Sequence, residues 1–365
     1  MTVEPTGASH EVPLDDLFFS TTDARGVIDE ANEVFTRNAR YPRERLIGAP
    51  HNVIRHPDMP GGLFRLMWDQ LGLGEPVTAY VLNLAGDGSA YWAFATVVPI
   101  GDRFLSVRSS PRNLAARDLV DGLYAEVRAA ERRARDEDGS SAVQAAEHGR
   151  DLLAAAMTEN GFASYADLQL DLVPQEVAAR DAAGPTRPRP KDVTKPLRPL
   201  VTHALAAQDM LAGFADALTQ SLARADDLAR DLRRLRQPLA TVADSPLSAE
   251  VVAQAAGLLR ARAGDLADRL VEVIHTRKRL RFTTAIARLQ AEAVTRYVVA
   301  VGAGAEDPRI SERALASLTE ALLTILEADL DADAEATGPF ADRVAALADS
   351  LTTLAGTVAA MTPPG

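Results

Sequence analysis

The sequence contains no cysteine, and this absence removes several kinds of chemistry at once. Disulfide bonds, thiolate metal sites, covalently attached c-type haem and thiol nucleophiles are all excluded. Any binding or catalytic site must therefore be built from other side chains.

Positive charge is also in short supply. The chain carries 39 Lys and Arg against 51 Asp and Glu, which gives a formal net charge of −12. Phosphate backbones and anionic lipids are bound by clusters of basic residues, so this balance argues against a nucleic acid or a membrane surface as a partner. Two arginine-rich stretches, at 132–135 and 277–281, lie among acidic residues or inside helical patterns and are interpreted as solvated helix faces.

Long apolar runs and targeting signals are missing as well. No stretch reaches the roughly 18 uncharged apolar residues of a membrane-spanning helix. The N-terminus has no basic segment followed by an apolar run, which is the pattern of a signal peptide. We therefore expect a cytoplasmic protein without a membrane span.

Enzyme motifs do not occur either. The sequence has no Gly-x-x-x-x-Gly-Lys-Ser/Thr loop, no His-Glu-x-x-His and no Gly-x-Ser-x-Gly elbow. Its many carboxylates fall on helical faces, where they are ordinarily solvated. The 365 residues suffice for two or three domains, and we expect none of them to be catalytic.

Residues 1–112 hold most of the aromatic residues and turn signals, and they read as an α+β domain. Strands are predicted at 18–23, 26–28, 77–84, 91–100 and 104–109, with a hairpin turn at 85–89. Short helices are predicted at 32–38 and 42–46. A longer helix carries Leu63, Met67 and Leu71 on one face, and Asp58 is its predicted N-cap.

The remainder of the chain is rich in Ala, Leu, Arg, Asp and Glu and reads as all-α. Connecting helices are predicted within 113–183, at 114–135, 141–158 and 163–183. Residues 184–199 contain several prolines and predict a semi-rigid linker. A helical output bundle is predicted over 200–365, with breaks near Pro238, Pro246, residues 302–308 and Gly338.

Two of these helices carry apolar residues at seven-residue spacing. The first helix has one row of Leu211, Leu218, Ala225 and Leu232 and a companion row of Phe214, Ser221, Leu228 and Leu235. The second helix has one row of Val252, Leu259, Leu266, Val273 and Leu280 and a companion row of Ala256, Ala263 and Leu270. Such rows form a seam for another helix, in a coiled coil or a bundle. The pattern leaves open whether the seam is intramolecular or joins two chains; we expect a homodimer.

A distinctive motif lies at 48–60, where the sequence reads GAPHNVIRHPDMP. Shorter pieces surround it in order: STTD at 20–23, ANEVF at 31–35, MW at 67–68, GEP at 74–76, YW at 91–92 and VP at 98–99. Over about ninety residues this pattern closely resembles the PAS domain of bacterial aerotaxis receptors. The resemblance implies a five-stranded antiparallel sheet with short helices across one face.

The resemblance also implies a cofactor and the residues that hold it. The family binds non-covalent FAD, whose redox state is passed through helices to the chemotaxis machinery. Position by position, Arg55, His56 and Asp58 fall on its flavin-associated motif, and Asn83 falls on a strand asparagine at the flavin edge. Asn32 and Trp68 complete the candidate cofactor-binding residues. Because the chain lacks cysteine, the thiol–flavin photochemistry of blue-light PAS relatives is excluded.

Each residue type suits the cofactor, but other roles stay open. An arginine can bind phosphate oxygens bidentately, and a neutral amide can both donate and accept at the flavin edge. Alternatively, Arg55 and Asp58 pair with each other and cap the next helix, His56 is structural, and Trp68 belongs to the core, as does Trp92. A haem b ligand role for His51 or His56 is the less favoured cofactor hypothesis.

The sequence departs from the family in two places. Val77 stands where a tryptophan is common, and the hairpin at 84–88 lacks the usual basic residues. Beyond the PAS region the resemblance is limited to segments similar to chemoreceptor-like helices, at 161–168, 279–282 and 287–290. We therefore expect a soluble signal-transduction protein that senses redox state or oxygen through a flavin and acts on a signalling partner. The alternatives are a cofactor-free interaction module and a haem-based gas sensor.

Overall fold

The computed structural model describes residues 3–243, residues 250–306 and part of the segment 313–324. The prediction that helical structure continues through Gly338 to residue 365, and the predicted break at Pro246, lie outside the described residues. Within the described residues, no helix combines the length and the apolar character that a membrane span requires.

Five antiparallel strands form one sheet, as the sequence predicts. They are β1 (Leu17–Asp23), β2 (Ile28–Ala31), β3 (Val77–Leu84), β4 (Ala90–Ile100) and β5 (Arg103–Ser109). The order across the sheet is β2-β1-β5-β4-β3. β2 begins at Ile28, two residues later than predicted, because Gly26 has a positive φ of 77° and belongs to the turn.

Short helices cross one face of this sheet between β2 and β3. They are α1 (Glu33–Ala39), α2 (Arg43–Leu46), a 3-10 turn (His51–Ile54) and α3 (Gly61–Gly72). Asn32 is the N-cap of α1, since its side-chain oxygen accepts from the backbone N–H of Phe35. The same oxygen accepts from Phe19, and the amide nitrogen donates to the carbonyl of Leu17.

Side chains alternate between the two faces of the sheet, and both faces are covered. Phe18, Tyr91 and Ala93 belong to the core under the short helices. Phe19 and Phe94, on the opposite face, belong to a second core that includes residues of the C-terminal helices. Both cores run along the same strands with a period of two residues, so the sheet separates the two apolar layers.

Between residues 113 and 302, the described part of the chain contains five α-helices. They are α4 (Leu114–Asp136), α5 (Ala142–Glu159), α6 (Tyr165–Ala183), α7 (Arg198–Ala243) and α8 (Glu250–Gly302). Val173 of α6 and Ile286 of α8 are fully buried in the core behind the sheet. The helical region therefore packs directly on the α+β domain.

This packing changes the predicted division of the chain. Residues 184–199 contain two 3-10 turns, and Val193 and Leu197 are buried in the core behind the sheet. A β-carbon at Gly302 would lie 3.1 Å from side-chain atoms of both residues. The segment predicted as a semi-rigid linker is therefore packed against the end of α8. The break predicted near Pro238 is also wrong, since α7 continues to Ala243.

The helices α7 and α8 form an antiparallel hairpin. Gln208 of α7 donates to the carbonyl of Ala291, while Arg277 of α8 donates to the carbonyl of Ser221. Of the heptad rows, Leu211, Leu218, Ala225, Ala256 and Ala263 are buried. Leu228, Leu259, Leu266 and Val273 are exposed. One seam is therefore intramolecular, and a second apolar row remains at the surface; the side chains of Leu235 and Val252 lie outside the described residues.

Candidate functional site

A cavity of about 200 Å³ lies between the inner face of the sheet and the short helices. Its apolar wall comes from α3, the 3-10 turn and the strands: Ile54, Phe64, Met67, Trp68, Leu71, Val81, Leu82, Ala95, Val97 and Phe104. Its polar side chains are Thr22, Arg25, His51, Asn52, Arg55, Asn83, Ser106 and Arg108. Because small side chains such as Ala93 and Ala95 occupy the middle of β4, space remains above the sheet.

The charged side chains that line this cavity are all positive. Arg25, Arg55 and Arg108 contribute guanidinium groups, and the described lining includes no Asp or Glu. The side chain of Arg25 is 82% exposed and paired with Asp23, whereas Arg108 is buried and Arg55 is half-buried. Burying an arginine without a carboxylate is costly, so the cavity is suited to an electron-rich or anionic occupant.

Arg108 is the most deeply buried of these cations, at 2% exposure. It points inward from β5, and its Nη2 donates to Ser20 Oγ at 3.0 Å. Its guanidinium lies 5.0 Å from the ring centre of Phe35, within cation–π range. Burial lowers the pKa of Arg108 to about 10, which still leaves it protonated at neutral pH. Nη1 is buried without a hydrogen-bond partner.

His51 lies at the start of the 3-10 turn, next to Arg108. Its Nε2 contacts Nη2 of Arg108 and lies 3.4 Å from Ser20 Oγ. Burial, followed by the positive charges of Arg108 and Arg55, holds the pKa of His51 well below its usual value. The ring is therefore neutral, and its Nε2 accepts from the guanidinium. This geometry speaks against His51 as a haem ligand, because the coordinating nitrogen is engaged.

Arg55 follows the same turn and reaches the cavity from the opposite side. Its guanidinium carbon lies 3.5 Å from the ring centre of Phe64, and its Nε is buried without a partner. Burial lowers the pKa of Arg55 to about 10, and the carboxylate of Glu131 partly offsets this effect. The predicted cavity role of Arg55 is thus consistent with its position, whereas pairing with Asp58 is not observed.

Asn83 lies on the cavity face of β3, and the bridge between Arg55 and Asn83 joins the backbones of turn and strand. Its Nδ2 is buried without a partner, as is the hydroxyl of Ser106 on β5. Together with the unpaired nitrogens of Arg55 and Arg108, they present several unused polar groups to one small space. Buried polar groups are nearly always satisfied in native proteins, so these groups indicate an occupant that accepts hydrogen bonds.

Trp68 forms part of the cavity rim. It is 41% exposed and meets Phe104 edge to face, with ring centres 5.5 Å apart. A β-carbon at Gly26 would lie 3.0 Å from the indole, so the turn after β1 fits closely around it. Trp68 therefore stands where an aromatic ring can cover a ligand, whereas Trp92 packs against the cores and does not line the cavity.

Three predicted site residues lie outside this cavity. Asn32 uses its amide to cap α1 and to bind β1. His56 is buried, and its Nδ1 accepts from the backbone N–H of Asp58 at 3.2 Å. Asp58 is 61% exposed on its side chain and accepts from Arg132 of α4 at 2.6 Å. None of the three lines the cavity, so they are placed to shape its frame.

The predicted N-cap role of Asp58 is also wrong. The residue before α3 is Pro60, and no side chain from this segment caps the helix. Glu131, which lies about 70 residues further along the chain, instead accepts hydrogen bonds from the free backbone N–H groups of Gly61 and Gly62. The sequence analysis missed Glu131, Arg108 and Ser106. Ser106 and Arg108 alternate inward along a predicted strand, and a charged residue at such a position is the signal that could have identified them.

Val77, where the sequence departs from the family pattern, lies beside the cavity. It is fully buried and pairs with Val97 in the sheet, but it is not among the lining residues.

The sequence and the structure were compared with known proteins. No protein-family model matches the chain. The aerotaxis receptor of Escherichia coli (strain K12) is 35% identical over 133 residues, which are 34% of this chain and 26% of the receptor. The chain therefore matches about a quarter of that relative's length.

Solved structures with the same kind of fold include a light-oxygen-voltage domain studied with a flavin analogue. It is 19% identical, and the match covers 30% of this chain and 89% of that one with a TM-score of 0.27. The PAS domain of an HTR-like protein from Haloarcula marismortui is 20% identical over 26% of this chain and 85% of its own, with a TM-score of 0.22. The sheet, the crossing helices and the sequence match together identify the N-terminal domain as a PAS domain of the aerotaxis-receptor type.

Proposed function

We propose that this protein is a sensor in signal transduction whose PAS cavity binds a flavin, most simply FAD, and whose helices relay the state of that cofactor. The observation that carries the proposal is the cavity lining, in which the buried Arg108, the half-buried Arg55 and an unpaired amide face apolar and aromatic walls without a carboxylate. The relationship to the aerotaxis receptor supports the same reading.

The residues present suit a flavin. Its ring is a flat apolar surface with one edge of carbonyl oxygens and ring nitrogens, and these accept hydrogen bonds. Asn83, Arg108 and Ser106 would serve that edge, Phe64 and Trp68 would cover the ring, and Arg55 would bind an edge or phosphate oxygen. When bound, the flavin supplies reversible electron uptake, and the protein supplies binding and electrostatic tuning.

The chain's own groups are placed to respond to charge at that edge. His51 is kept neutral by the adjacent guanidinium groups, so it does not compete for the proton of an occupant at neutral pH. Arg55 and Arg108 remain charged, since their lowered pKa values of about 10 lie well above neutrality. Negative charge that develops on the occupant would therefore be attracted by both cations.

The helical region is proposed as the output. It packs on the outer face of the sheet through α6 and α8, so a shift of the strands reaches these helices directly. We propose a signalling protein as the partner and a non-enzymatic role for this chain. A second copy of the chain is the proposed occupant of the exposed apolar row of α8, formed by Leu259, Leu266 and Val273.

Absorption spectroscopy of the purified full-length protein tests the cofactor. A flavin spectrum that bleaches on anaerobic reduction, with FAD identified after release by denaturation, would support the proposal. A Soret band would favour the haem alternative. Colourless protein that also fails to bind added FAD or FMN would refute a flavin function and favour the cofactor-free interaction module.

A further inference from the structure

The first turn of α3 is held by a carboxylate from the helix that follows the PAS fold. Glu131 of α4 accepts from the backbone N–H of Gly61 at 2.9 Å and from that of Gly62 at 2.7 Å. Its side chain is buried, at 2% exposure. A carboxylate at a helix N-terminus satisfies free N–H groups and is favoured by the helix dipole. Glu131 therefore caps a helix to which it is not adjacent in sequence.

A third helix closes around the same contact. A β-carbon at Gly149 of α5 would lie 2.1 Å from Oε1 of Glu131, and one at Gly62 would lie 2.3 Å from the backbone nitrogen of Arg150. There is no room for a methyl group at either glycine. The backbones of α3 and α5 are therefore in direct contact, and the side chain of Glu131 from α4 packs against both.

This contact is joined to the cavity along two routes. The helix α3 supplies Phe64, Met67 and Trp68 to the cavity wall, so its first turn sets the position of that wall. The loop at 55–60, which begins with Arg55, is also tied to α4. Arg128 donates to the carbonyl of Pro57 at 2.9 Å, and Arg132 donates to Asp58 at 2.6 Å.

Arg55 links the occupant of the cavity to Glu131 electrostatically. Burial disfavours the charged form of Arg55, whereas the negative charge of Glu131 favours it. In the structure the guanidinium that Glu131 binds is that of Arg128, at 3.3 Å, so Glu131 acts on Arg55 through its charge alone. A negatively charged occupant that accepts a hydrogen bond from Arg55 would compete with that attraction, and a change in the charge of the occupant would change the balance.

We propose that Glu131 is the positioning residue through which the state of the cavity is transmitted to α4 and α5. In one state Arg55 is drawn towards Glu131, which holds the first turn of α3. In the other state Arg55 turns to the occupant, and the loop at 55–60 and the capped turn adjust together. This inference rests on the proposed function for the identity of the occupant and on the contacts above for the route.

Hydrogen–deuterium exchange of the full chain tests the route, in oxidised protein and in anaerobically reduced protein. The variants are Glu131→Gln, which keeps the shape but loses the charge, and Gly149→Ala, which displaces the carboxylate without altering it. Matched controls on α4 are Glu126→Gln, at an exposed glutamate, and Gly122→Ala, where a β-carbon meets no neighbour within 4 Å.

In the wild type and both controls, we expect α4 and α5 to exchange at different rates in the two redox states. In Glu131→Gln and Gly149→Ala that difference should largely disappear while flavin content is unchanged. Exchange in the first turn of α3 should rise about tenfold in both states, because a charged hydrogen bond is lost. A redox-dependent difference that persists in both variants would overturn the proposal.

A double-mutant comparison keeps this test separate from the flavin. Arg55→Ala should alter exchange of α4 and α5 in the wild-type background, and it should have no further effect in the Glu131→Gln background. Additive effects of the two substitutions would overturn the route even if flavin is bound. Absence of flavin from the wild type would overturn the proposed function while leaving this comparison decisive for the route.

Discussion

Arg108 and His51 are in direct contact in the cavity lining, where Nη2 of the guanidinium meets Nε2 of the imidazole. The arrangement works only with a neutral histidine, since a protonated ring has no acceptor to offer. It fixes the orientation of Arg108 while leaving its Nη1 without a partner. A cation is thereby held in place with part of its hydrogen-bonding capacity unused.

The first prediction concerns Arg108. Arg108→Gln should lower flavin affinity by about ten- to a hundredfold, because a hydrogen bond from a charged group contributes roughly 1.5–3 kcal/mol. Arg108→Lys keeps the charge but loses the planar fork, so it should retain part of the affinity. Titration of the flavin-free protein with FAD measures both. Arg103→Gln, on the same strand but outside the cavity lining, is the matched control. Unchanged affinity in Arg108→Gln would remove Arg108 from the site.

Substitution of Asn83 should lower flavin affinity less than substitution of Arg108. Asn83→Ala removes a neutral hydrogen bond, which contributes about 0.5–1.5 kcal/mol, so affinity for flavin should fall no more than about tenfold. The redox-dependent change in protease sensitivity of the helices should fall with it, because the amide faces the cavity beside Arg55. The same substitution at Asn160, an exposed amide outside the cavity lining, is the control. Identical protease patterns for Asn83→Ala and wild type in both redox states would contradict the prediction.

The lowered pKa of His51 predicts a pH dependence of stability. Below about pH 6.5 the unfolded chain takes up a proton at His51 that the folded chain does not, so the free energy of unfolding falls as the pH falls. His51→Gln keeps an acceptor for Arg108 and cannot be protonated. Between pH 7 and about pH 5, urea denaturation should therefore show a larger loss of stability for the wild type than for the variant. Parallel curves would show that His51 titrates normally.

Glu306 should give a pH dependence of the opposite sign. It caps α1 by accepting from the backbone N–H of Glu33, and burial raises its pKa to about 7. The carboxylate of Glu33 acts in the same direction, while Arg43 and Arg37 oppose it. A carboxyl group with a raised pKa binds its proton more tightly in the folded state, so its contribution to stability is lost as the pH rises from 4.5 to about 7.

Glu306→Gln separates this effect from the rest of the protein. The stability of the variant relative to the wild type should increase steadily over that pH range, as measured by urea denaturation. Glu320→Gln, at an exposed position in the same part of the chain, should leave the pH profile unchanged. A constant difference between Glu306→Gln and wild type from pH 4.5 to pH 7 would contradict the raised pKa.

The exposed heptad row predicts an oligomer. Leu259 and Leu266 are 54% and 52% exposed on α8, although their spacing is that of a helix seam. The double variant Leu259→Gln and Leu266→Gln should shift sedimentation from dimer to monomer, because each buried leucine contributes about 1.5–3 kcal/mol. Leu119→Gln, at a leucine of α4 that is 72% exposed, should not. Wild-type protein that sediments as a monomer at about tens of micromolar would refute the dimer.

Much of the fold could be predicted from the sequence because the signals for strands and turns are local. The alternation along 77–84, 91–100 and 104–109 and the glycine-rich turn at 85–89 depend on near neighbours, and the strands lie close to the predicted positions. The predicted site was only partly located. Arg55, Asn83 and Trp68 line the cavity, whereas His56 and Asp58 adjoin Arg55 in sequence but turn away from the cavity. Residues in a loop lack the fixed periodicity that assigns a side chain to one face.

The contacts that could not be predicted are those between distant segments. Glu131 reads as one more carboxylate on a charged helix, and only the packing of α4 against α3 makes it a cap. Likewise, the exposed row of α8 is recognisable as apolar from sequence, but its exposure follows from which face α7 covers. Choices among several equally apolar faces are made by tertiary packing.

Because the sheet has a packed core on each side, the sensor domain has no natural cut point at residue 112. A fragment ending there would leave Phe19, Tyr80, Phe94, Leu105 and Val107 without the helices that cover them. Such a fragment would present a flat apolar sheet to solvent and would aggregate or acquire a non-native dimer interface. Spectra or oligomeric states measured on it would describe that artificial surface. A fragment that preserves the packing on both faces of the sheet must retain α6 and the second half of α8.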